Sequence, residues 1–313
     1  MSRRVSPSVV LIVVLAVVTL AVTVLALRPK DPPEAPPLPK AAASASATTP
    51  AQPTASATVD PSLVVKAVEP PLVLTSATDA FRATSGTCLG GGAVFRTSDG
   101  GTTWTKLSVD ASAVLTLRAD STSSVQAVVA NGTGCDPLVL ASTDSGVTWV
   151  NQPDDSLWYR LASSPSFVHT PTGVVLNPCS DRNEPVVELE GLTATQGVAL
   201  CVDGSVLASK NGRSFSTLSS VNDAVALSFD SPDEGWILVR DGQRCPAYAL
   251  QRTVDGGVSW QTGGCVGAAD DLAKEVPPAL DFVDPQTGMV TIGVVAYTTA
   301  DGGVTWNRVV TTQ

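Results

Sequence analysis

The chain has 313 residues and carries 29 acidic against 19 basic side chains, a formal net charge of −10. An acidic chain without a Lys/Arg cluster in residues 63–313 lacks the electrostatic footprint of a nucleic-acid-binding protein, so no nucleic-acid partner is expected. Six cysteines without a Cys-x-x-Cys pair, together with a single histidine, also argue against a metal site, and no cofactor is predicted.

The N-terminal segment predicts a membrane anchor. Val9 to Leu27 is a run of 19 uncharged residues that follows Arg3 and Arg4, and it is long enough to cross a bilayer as a helix. A cleaved signal peptide is the alternative, but no small-x-small cleavage site ends the run. We therefore expect a short cytoplasmic N-terminus (residues 1–8) and a single transmembrane signal-anchor helix (residues 9–27).

Residues 28–62 are dominated by Pro, Ala, Ser and Thr. Such a composition cannot bury a core, which predicts a disordered linker that holds residues 63–313 away from the membrane. An even number of cysteines beyond the anchor suits an oxidising compartment, so the folded domain is expected outside the cytoplasm, at a cell surface or in a periplasm. The bias towards Ala, Val, Thr, Pro and Gly indicates a bacterial protein.

A short repeat organises the folded domain. Its pattern is Thr/Ser-x-Asp-x-Gly-x-Thr/Ser-Trp; complete copies begin at Thr97, Ser142, Thr253 and Thr299, and a worn copy begins at Ser209. Successive copies start 45, 67, 44 and 46 residues apart, and a period near 45 is typical of the four-stranded blades of a propeller. The repeat residues are Asp99, Gly101, Trp104, Asp144, Gly146, Trp149, Asn211, Asp255, Gly257, Trp260, Asp301, Gly303 and Trp306.

The residue types of the repeat can be explained by the structure of a turn. An Asp that precedes Gly can accept hydrogen bonds from its own turn, and the Gly can take a positive φ, so each copy predicts a hairpin turn between two apolar strands. The Trp at a fixed offset buries a large ring, which we expect to pack between neighbouring blades.

The repeat resembles the Asp-box, or BNR repeat, of sialidases, sortilin-type receptors and photosystem assembly factors, over about residues 70–313. The resemblance implies an all-β fold, a β-propeller with Asp-box repeats. It also implies that the box is a structural turn on the face away from the ligand, so no catalytic role is assigned to the repeat aspartates.

The blade count depends on the long interval between the second and third copies. We expect six blades, with a compact third blade near Trp158–Glu184 that lacks a box; five blades with one insertion is the alternative. We also expect Ser62–Leu74 to close the ring by joining the sheet that contains Trp306–Val310.

Four cysteines occupy a common blade position. Cys88, Cys135, Cys201 and Cys245 precede their repeats by nine, seven, eight and eight residues. Sequential pairing (Cys88–Cys135, Cys179–Cys201, Cys245–Cys265) would join neighbouring loops on one face, although six cysteines leave 15 connectivities open.

Two functions remain. A sialidase-like exo-glycosidase needs three converging arginines, for which the candidates are Arg82, Arg182 and Arg244; Glu184, Glu188 and Glu190 are interpreted as solvated positions. We favour a binding or scaffold propeller for a protein or a cell-envelope or glycan ligand, held by loops opposite the boxes and by a central channel. The candidate ligand-face residues are Asp136, Trp158, Tyr159, Arg182, Arg244, Tyr248, Asp270 and Asp271.

Overall fold

A computed structural model describes residues 70–153, 156–179, 186–272 and 277–310. The expected anchor and linker lie outside these residues. Within the described ranges, no helix combines the length and the apolar character needed to span a bilayer.

The described residues form six antiparallel sheets, which we number as blades in chain order. Blade 1 contains β1 (Leu72–Leu74), β2 (Ala80–Thr84), β3 (Ala93–Thr97) and β4 (Thr105–Lys106). Blade 2 contains β5 (Ala113–Ala119), β6 (Val125–Asn131), β7 (Asp136–Ser142) and β8 (Val150–Asn151). Blade 3 contains β9 (Tyr159–Arg160), β10 (Phe167–Thr170) and β11 (Gly173–Leu176).

The second half of the ring repeats this plan. Blade 4 contains β12 (Val186–Gly191), β13 (Gly197–Cys201), β14 (Ser205–Ser209) and β15 (Phe215–Ser220). Blade 5 contains β16 (Ala224–Phe229), β17 (Gly235–Arg240), β18 (Tyr248–Thr253) and β19 (Gln261–Val266). A short helix α1 (Ala269–Leu272) precedes blade 6, which contains β20 (Pro278–Phe282), β21 (Gly288–Ile292), β22 (Val295–Thr299) and β23 (Asn307–Val309).

The architecture is therefore a six-bladed β-propeller, and the prediction of a compact third blade is confirmed. The alternative of five blades is wrong. Strands are added from the centre outwards in chain order, so the first strand of each blade lines the axis.

The predicted closure is wrong for the part that the structure describes, Leu72–Leu74. β1 pairs with β2 in blade 1, with Leu72 opposite Arg82, whereas the strand that pairs with β23 among the described residues is β22. The physical reason is local: the turn at residues 75–79 connects β1 directly to β2, and such a short connection favours a hairpin over a distant sheet. Residues 62–69 lie outside the described part of the chain.

Each complete repeat forms a turn between the third and fourth strands of its blade, hereafter a repeat turn. In blade 1 the Thr97 hydroxyl donates to Asp99 Oδ1 (2.8 Å), and the Gly101 and Thr103 N–H groups donate to Thr97 Oγ1 (3.0 Å) and Asp99 Oδ1 (2.9 Å). Gly101 has a φ of +90°, which a residue with a side chain rarely adopts. The same bonds recur in blades 2, 5 and 6.

The repeat tryptophans pack at the boundaries between blades, as expected. Trp104 of blade 1 packs with Leu74, Ala80 and Met289, and Met289 belongs to blade 6. Trp306 packs at the boundary between blades 5 and 6 and meets the Phe282 ring edge-on, with 6.1 Å between centroids. Apolar burial thus joins the blades, which share no strands.

The worn repeat turn of blade 4 receives hydrogen bonds from blade 3. Gly212 (φ +68°) has no Asp in its turn, and its carbonyl accepts hydrogen bonds from the hydroxyls of Thr170 (2.6 Å) and Thr172 (2.8 Å). These threonines flank the β10–β11 turn, so blade 3 supports the repeat turn of blade 4.

Candidate functional site

The propeller has two different faces. The turn between the first and second strands lies on the repeat-turn face, because Gly100 N–H donates to Thr78 O (2.9 Å) and Gly256 N–H to Asp233 O (2.8 Å). In the four-stranded blades, loops between second and third strands therefore emerge at the opposite end, as antiparallel connectivity requires.

All three disulfides lie at that opposite end, which we call the disulfide face. Cys88–Cys135 joins the β2–β3 and β6–β7 loops of blades 1 and 2, with 5.4 Å between Cα atoms. Cys179–Cys201 joins the segment after β11 to the end of β13. Cys245–Cys265 links the β17–β18 loop to β19 within blade 5. The predicted sequential pairing on one face is confirmed.

A central channel of about 330 Å³ runs between the first strands of the blades. Blades 4, 5 and 6 contribute acidic side chains to its wall: Glu188, Glu190, Asp230 and Asp281. Blades 2 and 3 contribute Arg118 and Arg160. The wall therefore carries carboxylates on one side and guanidinium groups on the other.

Two channel carboxylates reach across to the next blade. Glu190 Oε2 accepts the N–H of Phe229 (2.8 Å), and Asp281 Oδ2 accepts the N–H of Leu74 (2.6 Å). Ser228 occupies the same strand position in blade 5; its hydroxyl accepts the N–H of Phe282 (3.1 Å) and donates to Asp281 Oδ1 (3.1 Å). A polar side chain at the penultimate position of an inner strand thus satisfies the neighbouring backbone.

These carboxyl groups have shifted titration. Burial, and then the nearby carboxylates of Asp281 and Glu188, raise the pKa of Glu190 well above its usual range. Burial raises the pKa of Asp281 to about 7, although hydrogen bonds from Leu74 and Ser228 oppose the rise. The interpretation of Glu190 as a solvated position is wrong, because this carboxyl is buried and bonded to the backbone of blade 5. Glu188 is half-buried and lines the channel, and Glu184 lies outside the described residues.

The remaining charged groups of the wall are mostly paired. Arg118 contacts Asp120 at 3.2 Å, and Arg160 Nη1 donates to Val186 O (3.3 Å). Asp230 Oδ1 is buried without a hydrogen-bond partner, and burial raises the pKa of this carboxyl. In the described part of the chain, no three metal-ligating side chains converge on a common point.

Three of the predicted ligand-face residues are exposed. Asp136 begins β7 next to Cys135, and Asp270 lies in α1. Arg244 lies in the β17–β18 loop, where its Nε is 3.3 Å from Asp241 Oδ2. Arg182 lies outside the described residues.

The other four predicted ligand-face residues are buried: Trp158, Tyr159, Tyr248 and Asp271. Trp158 Nε1 donates to Thr193 O (2.9 Å), and the Tyr159 ring stacks on His169 at 4.5 Å. Asp271 Oδ2 accepts the hydroxyl of Tyr297 (2.5 Å). These side chains belong to the core between blades, because large apolar surfaces and a paired carboxylate are favoured there.

The arginines expected of a sialidase do not share one site among the described residues. Arg82 lies between blades 1 and 6, with its guanidinium 4.3 Å from the Trp104 ring centroid and its Nη1 donating to Gly293 O (3.2 Å). Neither Arg82 nor Arg244 lines the channel. The contacts of Arg82 are therefore with an aromatic ring and a backbone carbonyl.

The chain matches no protein-family model and no curated protein sequence. Among solved structures it is similar to YCF48 bound to a D1 peptide, with 16% identity over 79% of this chain and 94% of that chain and a TM-score of 0.41. It is also similar to YCF48 from Cyanidioschyzon merolae (16% identity, 78% and 86% of the two chains, TM-score 0.41). A third similar structure is the Hadza microbial sialidase Hz136 (15% identity, 76% and 57%, TM-score 0.34).

Proposed function

We propose that this propeller is a binding module that recognises a protein or cell-envelope ligand on its disulfide face. Attachment to a membrane through residues 9–27 and an extracytoplasmic location belong to the same proposal. The observation that carries it is the placement of all three disulfides on one face.

Disulfides on one face favour binding there for an entropic reason. A ligand that meets mobile loops must order them, and this cost reduces the affinity. Cross-linked loops are already ordered, so less of the interaction free energy is lost. Exposed apolar side chains occur on both faces, for example Leu89 near Cys88 and Val147 in a repeat turn, so apolarity alone does not distinguish the two.

The two faces can be compared by site-specific photo-cross-linking of the full-length chain in its native envelope. A photoreactive residue at Leu89 (71% exposed) reports the disulfide face, and one at Val147 (70% exposed) is the matched control on the repeat-turn face. We expect a discrete adduct from position 89 and none from position 147. Adducts from position 147 alone, or equally from both, would contradict the proposal.

A second candidate function is glycoside hydrolysis in the channel. Its support is the pair Glu190 and Asp281, whose raised pKa values suit an acid that donates a proton near neutral pH. The test is turnover of a sialoside and a panel of aryl glycosides by the purified, oxidised full-length chain.

The informative variants are Glu190→Gln and Asp281→Asn, which keep a hydrogen-bond acceptor for the neighbouring backbone. The matched control is Asp233→Asn, at an exposed position on the repeat-turn face. Turnover that both channel variants abolish and the control retains would replace binding with hydrolysis as the function. Arg82→Ala is unsuitable because Arg82 packs on Trp104.

A further inference from the structure

β11 forms the outer edge of blade 3. In the described part of the chain this blade has three strands, whereas each of the other five blades has four, and no strand pairs with the outer side of β11. The sequence of β11, Gly173-Val-Val-Leu176, favours an extended strand and contains neither a charge nor a proline. Edge strands usually carry such protective features.

The register shows what this edge offers. Asn177 N–H donates to Ser166 O (2.9 Å), and Val175 lies opposite Val168 two residues earlier in β11. Because hydrogen-bonded and non-hydrogen-bonded pairs alternate in an antiparallel ladder, the backbone N–H and C=O groups of Val174 and Leu176 point outwards.

The side chains at the same two positions are exposed. Val174 is 56% exposed and Leu176 is 66% exposed, whereas Val175 between them packs against the core of blades 3 and 4. An outer edge with two donors, two acceptors and two apolar side chains on one face is what strand addition requires.

The charge beside this edge is basic. The worn repeat turn of blade 4 touches the Gly173 end of β11, since Thr172 Oγ1 donates to Gly212 O. That turn exposes Lys210 and Arg213 and has Asn211 where the four complete repeats have Asp. In a chain of net charge −10, this is a local site complementary to acidic residues.

We propose that the open edge of blade 3 binds an extended segment of a partner protein by antiparallel strand addition. Alternate apolar side chains of the segment cover Val174 and Leu176. Because the added strand runs opposite to β11, its C-terminal end lies at Gly173, where acidic residues meet Lys210 and Arg213. The segment adds a fourth strand to the three-stranded sheet of blade 3.

A second copy of this chain is a poorer occupant. Pairing two four-residue strands buries far less than the roughly 1,200 Å² that stable interfaces need.

The test uses the purified, oxidised full-length chain and a fluorescent peptide, acetyl-Thr-Val-Thr-Val-Thr-Asp-Asp-amide, in an anisotropy titration. We expect saturable binding that weakens at least tenfold when Lys-Lys replaces Asp-Asp. The double variant Lys210→Glu with Arg213→Glu should weaken the Asp-ended peptide to the same extent. Lys106→Glu, a charge reversal on the exposed outer strand of blade 1, is the matched control and should bind normally.

Strand addition has its own readout. Amide exchange at Val174 and Leu176 should slow when the peptide is bound, and Leu176→Pro should abolish binding. That proline removes an outward N–H and none of the bonds to β10, so an unchanged exchange pattern elsewhere verifies the fold.

Three outcomes would overturn the proposal: no saturable binding, binding that survives Leu176→Pro, or binding without protection of Val174 and Leu176. Light scattering that finds a dimer of the full-length chain, dissolved by Leu176→Pro, would assign the edge to a second copy instead.

Discussion

At the scale of single residues, two groups of carboxyls respond to pH in opposite directions. In three repeat turns, hydrogen bonds lower the pKa of the aspartate to about 2. The largest effect comes from the hydroxyl of Thr148 on Asp144, of Ser259 on Asp255 and of Thr305 on Asp301. The stability from these groups is present above about pH 4 and is lost as the pH falls towards 2. Burial in the channel raises the pKa of Asp281 to about 7, so stability is lost there as the pH rises from about 4 towards 7. The folded state should therefore be most stable in mildly acidic solution.

The contribution of Asp281 can be isolated by Asp281→Asn. The free energy of unfolding of the unmodified chain should fall between about pH 5 and about pH 8, and the variant should remove about 2–3 kcal/mol of that fall, since one pKa unit corresponds to about 1.4 kcal/mol. Urea unfolding at the two pH values measures the difference. Asp233→Asn should leave the fall unchanged, and an equal fall in Asp281→Asn would contradict the assignment.

At the scale of elements, the repeat turn of blade 6 packs closely against strand β19 of blade 5. Gly264 of β19 donates its N–H to Gly303 O (3.1 Å), and a Cβ on Gly264 would lie 2.4 Å from the carbonyl oxygens of Gly303 and Val304. Backbone cannot move aside as a side chain does, so Gly264→Ala should cost about 1–3 kcal/mol. Gly242→Ala, in the same blade with open space around its Cβ position, is the matched control in thermal unfolding. Equal effects would show that the docking is loose.

The sequence predicts the elements whose bonds are local. The repeat turns hydrogen-bond within five residues, so the residues of the repeat suffice to place them. Their spacing favours six blades but leaves five as an alternative, because the third blade lacks a repeat. The channel is different: Glu190 bonds to Phe229, 39 residues away, and Asp281 to Leu74, 207 residues away. An acidic residue inside an apolar strand, as in Leu280-Asp281-Phe282, could have indicated a buried carboxyl. Its hydrogen-bond partner lies in the neighbouring blade, however, and the sequence does not show which residue that is.

Four of the eight predicted ligand-face residues lie in the core for a related reason. In a strand, side chains alternate between faces, so a one-residue difference decides between surface and core. Trp158 and Tyr159 follow β8 at a point where no repeat fixes the register, and both enter the core between blades. Asp136, beside a cysteine with a predictable position, lies on the surface as expected.

At the scale of the whole molecule, the described residues close the ring without a strand shared between blades 6 and 1. Cys88–Cys135 links blades 1 and 2, and Cys179–Cys201 links the segment after blade 3 to blade 4. The contacts described between blades 6 and 1 are non-covalent: Asp281 with Leu74, Arg82 with Gly293, and a small apolar cluster around Met289. Blades 6 and 1 are also the neighbours that do not follow one another in the chain, so this boundary is where we expect the ring to open first.

Met289→Ala tests that expectation. Met289 is buried against Leu74 and Ala80 of blade 1, so its truncation should cost about 2–5 kcal/mol and should lower the free energy of an opening confined to blades 1 and 6. Leu227→Ala, buried between blades 4 and 5, is the matched control and should cost a similar amount. Native-state hydrogen exchange separates the two, because Met289→Ala should accelerate amides of β1, β2, β20 and β21 ahead of those in blades 3 and 4. If both variants accelerate all six blades alike, the propeller opens as one unit, and the boundary between blades 6 and 1 is not its weakest point.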